Sequence, residues 1–487
     1  MFRSLFRFVL LIGLFLTLFQ GQAQKPREVV IEGKAEFATN YKIRVITFSD
    51  YINWDPIETT SEQIARDGSF KLSFQMPTIQ LIRLEINSAT TELFVVPGLH
   101  YQFKLDMDPA LFTMFNPADE NGFIQLIPSQ LDTNDLNYKI GKFEVEYARL
   151  LEKYGRDIIW YKSWTHLDSL ITELSENFPI RYEPTNYYLS YIYYTVGQLE
   201  AFLSSKEPLR IYQKYFDNDY ILYNNPAYMN LFNYYFNDYL LVSPRISKET
   251  LNKTINENAD YLTLFNEVGK DFSLVNERLR ELVLIKNLAQ MINNEELNQN
   301  NITQFLNHIA TNTRFPEHQP IAINSLNKAV QFNAGASIPE FSFKYADGSL
   351  FHPEELKGQW VYYHFFSTQC VSCIREMTLI QELQKRFEGK VTFVGVAVDP
   401  DFSKFLQFRK KYPQFDWNMV HFNDSYAFLR QMEITSLPEY LMMAPDGTLY
   451  NRYPRSPEKG LTTHLLRLLT TEKEEGHPLD PHYQRKK

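Results

Sequence analysis

The sequence predicts three unlike folding units in one chain: a compact β domain, a helical domain and a C-terminal α/β domain. Three observations carry this. Strand-type runs bounded by turn residues fill the stretch from about Lys25 to Asp106. From about Asp132 to Val330, apolar residues recur at three- and four-residue steps. Beyond Asn333, the apolar run Trp360–Phe366 leads into Cys370-Val371-Ser372-Cys373 and then a helix-patterned segment, Ile374–Phe387. A chain of 487 residues, 44% of them hydrophobic, has ample material for two or three packed domains. The expected boundaries are 1–23, 24–125, 126–332, 333–472 and a short tail, 473–487.

The first of these segments, Met1 to Ala23, has the pattern of a secretory signal peptide. Arg3 and Arg7 supply positive charge, Phe8–Phe19 the apolar core and Gly21-Gln22-Ala23 the small residues of a cleavage site. The apolar core is shorter than the roughly 18 residues a membrane span needs; an uncleaved anchor is the alternative. Cleavage predicts a mature start at Gln24 and export, with the periplasm of a Gram-negative bacterium as destination. No cysteine lies near the cleavage site, which excludes a lipoprotein anchor.

In the β domain, Val29–Gly33, Ile43–Ile46 and Lys71–Phe74 have strand composition, and Arg66-Asp67-Gly68-Ser69-Phe70 is a turn feeding a strand. Leu93–Pro97 and Tyr101–Leu105, separated by Gly98, suggest a further pair. In the helical region, Phe143–Tyr154, Leu167–Phe178 and Leu279–Ile292 show helical periodicity. Tyr187–Phe236 is rich in tyrosine and phenylalanine, which reads either as core packing between helices or as a ligand groove. No internal repeat near 34 residues supports a solenoid. Asn333-Ala334-Gly335-Ala336 is the expected linker into the last domain, and Arg485-Lys486-Lys487 a solvated end.

Cys370 and Cys373 are the only cysteines in the chain. A disulfide is geometrically easy at this spacing, and the first sulfur falls near a helix N-terminus, where the macrodipole favours a thiolate. That points to thiol–disulfide exchange. Half a zinc site is one alternative, but a structural zinc ion usually needs four protein ligands and no further cysteine exists. A purely structural bridge is the other, yet so short a ring removes little chain entropy.

From about Ala334 to Thr470 the chain resembles the TlpA/ResA-like branch of the thioredoxin family, exported thiol–disulfide oxidoreductases. The resemblance rests on the entry segment Gly335–Phe341, the turn Ala346-Asp347-Gly348 and the Trp360–Phe366 strand with its Cys-x-x-Cys turn. It continues through a second strand, Val391–Val398, helices at Phe402–Lys411 and Tyr426–Met432, and the loop Ile434–Tyr440, which matches the one carrying the family's cis-proline. Leu441–Ala444, the turn Pro445-Asp446-Gly447, Leu449–Tyr453 and a closing helix at Lys459–Leu469 complete it. The region before it is similar to the small β-sandwich domain that often precedes such domains. The fold class expected is therefore multidomain: a β-sandwich-like domain, a helical middle region and a thioredoxin-like α/β domain. At the peroxidase branch's key positions stand Tyr363 and Ser367, so the proline expected there is missing.

The resemblance implies a role for each site residue. Cys370 is expected to be the attacking thiolate and Cys373, one turn in, the more buried resolving thiol. Pro438 resembles the cis-proline that packs against the disulfide. Glu376, three residues after Cys373, sits where ResA-like proteins carry a glutamate that tunes the cysteines, and one helical face could bring the two together; the alternative is a solvated acid beside Arg375. His364 falls where plain thioredoxins place a buried aspartate, and is either a base for Cys373 or a hydrogen-bonded core histidine. Gln369 replaces a frequent tryptophan, Val371-Ser372 lacks the common proline, and Thr378 stands where many relatives have a kinking proline, so no redox potential carries over.

No organic cofactor and no metal are expected. The implied partners are a client protein bearing a disulfide and a membrane thiol electron donor. A formal charge of −9 argues against nucleic acid, which selects basic surfaces. A second reading is a binding module, redox-inactive or weakly active, that holds a partner protein.

Overall fold

Among residues 25–112, 124–204 and 208–475, which the computed structural model describes, the chain builds two four-stranded sheets, a helical layer and one seven-stranded sheet. The segment read as a signal peptide and the basic end lie outside the described residues. None of the helices described is long and apolar enough to cross a membrane.

The first domain holds β1 (Arg27–Lys34), β2 (Lys42–Phe48), β3 (Pro56–Gln63), β4 (Ser69–Met76), β5 (Gln80–Ile86), β6 (Ala89–Val95), β7 (His100–Asp106) and β8 (Gln125–Pro128). They form sheets of order β4-β1-β7-β8 and β3-β2-β5-β6. In β4 and β7 buried and exposed residues alternate, the signature of a strand with one wet face. Val29, Ile31, Leu72 and Leu105 from one sheet meet Ile43, Val45, Leu84 and Leu93 from the other in one core, which makes a β-sandwich. Gly33 is obligatory where β1 runs parallel to β7: a Cβ there would lie 1.7 Å from the Phe103 carbonyl oxygen. Strands β3 and β5 were not expected from the sequence. The first is a polar edge strand, exposed along most of its length, and the second is buried almost throughout and shows no alternation. Strand β8 pairs with β7 past position 125, so the sheet reaches Pro128.

Helices α1 (Leu136–Tyr161), α2 (Trp164–Ser175), α3 (Tyr187–Leu203), α4 (Pro226–Tyr235), α5 (Glu277–Met291), α6 (Gln299–Asn312) and α7 (His318–Val330) dominate the middle. Asp135 caps α1 by accepting from the backbone N–H groups of Asn137 and Tyr138. Every residue of α5 from Leu279 to Leu288 is buried, so this helix runs through the centre. Tyr194, Tyr215, Tyr228, Phe232 and Phe236 lie in the same core in edge-on and tilted pairs, so the aromatic stretch is chiefly core packing.

The last domain contains β9 (Phe343–Lys344), β10 (Leu350–Phe351), β11 (Trp360–Phe366), β12 (Val391–Ala397), β13 (Asn418–His421), β14 (Glu439–Met443) and β15 (Leu449–Asn451) in the order β10-β9-β13-β12-β11-β14-β15. Its helices are α8 (Val371–Arg386), α9 (Phe402–Lys411), α10 (Tyr426–Gln431) and α11 (Leu461–Glu475). One face of the sheet, with Tyr362 and Phe366, packs on α8, α9 and α11; the other, with Val361, Tyr363 and Phe365, packs on α10. This is a thioredoxin-like sheet between helices. The expected linker is not a free tether. The Gly335 N–H donates to the Leu449 carbonyl at 2.7 Å and Ser337 bridges Thr448, so it extends the β15 edge.

Polar contacts join the three regions. Arg430 on α10 pairs with the buried carboxylate of Glu85 on β5, and Arg44 on β2 covers the Tyr426 ring at 4.8 Å. Lys328 on α7 bonds Asp55, in the turn after β2, at 2.7 Å and lies 3.4 Å from Glu433, just past α10. Burial pushes the Glu85 carboxyl up, and the guanidinium groups of Arg430 and Arg44 oppose that. Removing Arg430 strands a buried charge, so Arg430→Ala is expected to cost about 3 kcal/mol near neutral pH. Adding Glu85→Gln to that variant should return much of the loss, as read from denaturant midpoints; a double variant no better than the single would refute the pairing.

Candidate functional site

Strand β11 is buried at every position, pairing with β12 in parallel and with β14 antiparallel. A strand so placed can offer reactive groups to solvent only at its ends. Its carboxyl end delivers Ser367–Cys370 as a turn, closed by the Cys370 N–H bonding the Ser367 carbonyl at 3.0 Å. Helix α8 then begins at Val371, earlier than the sequence pattern suggested, because Cys370 is its N-cap. Cys370 Sγ accepts from the Cys373 N–H at 3.1 Å, and the Ser372 hydroxyl lies 3.3 Å from the same sulfur. Cys370 and Cys373 form a disulfide, with Cα atoms 5.2 Å apart. Cys373 is fully buried and Cys370 half-buried, while Val371 between them is 81% exposed.

Asp399 fixes this turn. It is buried just beyond β12 and accepts from the Thr368 N–H at 2.8 Å, the Thr368 hydroxyl at 2.8 Å and the Ser367 hydroxyl at 3.2 Å. The Asp399 carbonyl in turn accepts from His421 Nε2 at 2.6 Å, and His421 Nδ1 accepts from the Asn423 N–H, an arrangement that fits a neutral ring. Burial pushes the His421 pKa down, consistent with that state. No sequence-based expectation assigned Asp399 a role. A carboxylate after a parallel strand, opposite Ser-Thr at the end of its neighbour, was the available signal.

The Leu437–Pro438 peptide is cis and stands immediately before β14. Its loop is held by Arg452, which is 1% exposed. That guanidinium donates to the carbonyls of Met432, Glu433 (2.8 Å) and Tyr440 (3.0 Å). One side chain thereby satisfies carbonyls on both flanks of the proline. Arg452 lay in a segment expected to be a strand, and nothing in the local pattern distinguished it from a surface arginine.

Glu376 is buried on the same face of α8 as Cys373, not solvated. Tyr440 Oη donates to its carboxylate. Burial pushes the Glu376 carboxyl up, aided by Glu458, while Tyr440, Ser456 and Arg375 pull the other way. His364 points to the α8 face of the sheet, its ring stacked between Phe366 and Tyr440 at 5.7 Å from each. Neither ring nitrogen has a hydrogen-bond partner among the described residues. The histidine is thus a core residue, but not the hydrogen-bonded one expected. Burial pushes its pKa down to about 3, leaving a poor proton acceptor. Among the described residues no group of three or more His, Cys, Asp or Glu is disposed to hold a metal.

Comparison with known proteins places this site within one domain. Residues 333–461 match the Redoxin family model. Thioredoxin-like protein YneN of Bacillus subtilis (strain 168) is 33% identical over 69 residues, 14% of this chain and 41% of that protein, so the match spans less than half of the relative's length. Among solved structures, the thioredoxin domain of a thiol-disulfide oxidoreductase from Bacteroides vulgatus is 19% identical, with 28% of this chain and 96% of that one covered at a TM-score of 0.26. A thiol-disulfide oxidoreductase from Bacteroides fragilis NCTC 9343 is 21% identical, covering 27% and 98% at a TM-score of 0.24. The C-terminal part of the chain is a Redoxin domain, set behind a β-sandwich and a helical region.

Proposed function

We infer that the protein is an exported thiol–disulfide oxidoreductase that reduces disulfides in periplasmic client proteins. The observation that carries the reading is the unequal cysteine pair, one sulfur half-buried at a helix N-terminus and the other sealed behind it. In the reduced protein, the Cys373 N–H and the helix N-terminus would stabilise a Cys370 thiolate. That thiolate attacks one sulfur of the client disulfide, forming a mixed disulfide and expelling the first client thiolate. Cys373 then attacks the Cys370 sulfur, closing the intramolecular disulfide and releasing the second. Two electrons pass to the client, and a membrane thiol donor restores the dithiol. Pro438 borders the site as the wall against which the client segment lies, and Glu376 manages the proton of Cys373. His364 fits a packing role better than that of a base. Export rests on the signal-like pattern of Met1–Ala23.

A second reading, a redox-inactive or weakly active binding module in which the thioredoxin-like domain holds a partner and the β and helical regions supply recognition, is favoured by one feature. A cleft of about 1460 Å³ between the β-sandwich and the helices is lined by Phe94, Leu99, Leu131, Tyr138, Val145 and Tyr191. The two readings are separable by redox titration of the mature protein, with alkylation and mass reporting the cysteine state. A reversible two-electron transition near the thioredoxin value, about −270 mV, supports the reductase. A pair that never cycles leaves only the binding module.

Two further outcomes are expected. Cys373→Ser should accumulate a mixed disulfide through Cys370, visible by mass, while Cys370→Ser should reduce turnover to background; turnover retained without Cys370 would sink the assignment. For His364, an unfolded pKa near 6.5 against a folded value of about 3 means that only the unfolded chain takes up this proton as pH falls through that window. Its stabilising contribution is therefore full above about pH 6.5 and lost at about 1.4 kcal/mol per pH unit on acidification. His364→Leu should show a stability–pH slope shallower by about one proton between those limits. Parallel slopes for the two proteins would contradict it.

A further inference from the structure

Tyr440 lies two residues beyond Pro438 on β14 and reaches across to α8, where its phenol donates a hydrogen bond to Glu376 Oε2. Glu376 follows Cys373 by three helical positions, a spacing that sets side chains on one face about 5–6 Å apart at Cβ. Both are buried. The carboxylate therefore shares a buried helix face with the resolving sulfur and is held by a phenol from the strand opposite. The Ser456 hydroxyl lies beside both Tyr440 and Glu376 and is only half-buried, which makes it the way out to solvent.

The other groups facing this carboxylate are few. Arg375 and Glu458 pair with each other at 2.8 Å and act on it in opposite senses. Tyr362, from β11, is a buried phenol held protonated. His364, stacked on the Tyr440 ring, is neutral through the working pH range. A carboxylate buried in such company without a donor would keep its proton and could not accept another. Tyr440 supplies the donor.

Resting on the thiol–disulfide reading above, we propose that Tyr440 is a positioning residue for the resolving step, fixing the Glu376 carboxylate beside Cys373 and keeping it ionised to accept that thiol's proton. In the mixed disulfide, the Cys373 thiol gives its proton to Glu376. The resulting thiolate attacks the Cys370 sulfur, the Cys370–Cys373 bond forms, and the bond from Cys370 to the client sulfur breaks. The client departs as a thiolate, and the proton leaves Glu376 past Ser456 to water.

The test uses the reduced protein with one equivalent of dithiobis(nitrobenzoate), which releases one coloured thiolate when Cys370 attacks and a second when Cys373 resolves. The ratio of the second rate to the first is followed against pH. For Tyr440→Phe the acid limb of that ratio should move up by about one pH unit, the size expected for one lost hydrogen bond to a charge. Below the limb, resolution should be about tenfold slower. Ser456→Ala should shift it the same way by less, and serves alone if circular dichroism shows Tyr440→Phe misfolded. Glu376→Gln should remove the limb. If Tyr440→Phe and Ser456→Ala keep the wild-type limb while Glu376→Gln removes it, the role of Tyr440 is refuted and that of Glu376 stands. If Glu376→Gln keeps it too, the carboxylate does not take the proton and the proposal fails with it. A wild-type protein releasing a single equivalent overturns the thiol–disulfide reading as well as this one.

Discussion

Everything at the candidate site depends on the complete burial of β11. A strand with no exposed residue must be covered on both faces and paired on both edges, because neither its side chains nor its backbone groups can turn to water. That requirement recruits α8 to one face, α10 to the other, β12 to one edge and β14 to the other. Each recruited element then contributes at the carboxyl end of the strand. Helix α8 brings its N-terminus and the two sulfurs, β12 brings Asp399, and β14 brings the cis-proline peptide and Tyr440. The site is a by-product of covering one strand.

The parts legible in the sequence were those with a local signature. An aromatic and apolar run broken by one histidine and ending in Ser-Thr-Gln-Cys is a buried strand followed by a turn whichever neighbours it acquires, and the two strand–turn–strand segments around Asp347 and Asp446 announce themselves by their glycines. Strands β3 and β5 had no such mark. A polar edge strand resembles a loop in composition, and a strand buried on both faces has no period-two pattern to find. In the site, the cysteines were legible because there are only two. Arg452 and Asp399 were not, because their roles come from carbonyls and amides contributed by distant segments. The burial of Glu376 and the unpartnered state of His364 likewise belong to the tertiary packing.

The buried ionisable groups near the sulfurs are managed in two different ways. Glu376 receives a donor from the strand opposite and a hydroxyl near the surface, so its charge has partners in either protonation state. His364 receives only ring faces, and the cost of burying it is met by never charging it. The first arrangement surrounds the ionisable group with hydroxyl partners, and the second surrounds it only with ring faces. Two titratable residues on the same side of one sheet therefore carry opposite chemical prospects, which their position in the sequence gave no means to tell apart.

Lys328 has a consequence for how this protein can be dissected. Its ammonium group is shared between Asp55 of the β-sandwich and Glu433, the residue that opens the path to the cis-proline, while it is itself anchored in the helical region. Arg430, three residues before Glu433, is tied to Glu85 in the same sandwich. A fragment beginning at the Redoxin boundary would strip both counter-charges from one side of the loop that carries the cis-proline. The Redoxin domain's electrostatic surroundings are thus partly property of its neighbours, and the excised domain is a different reagent from the domain in the chain.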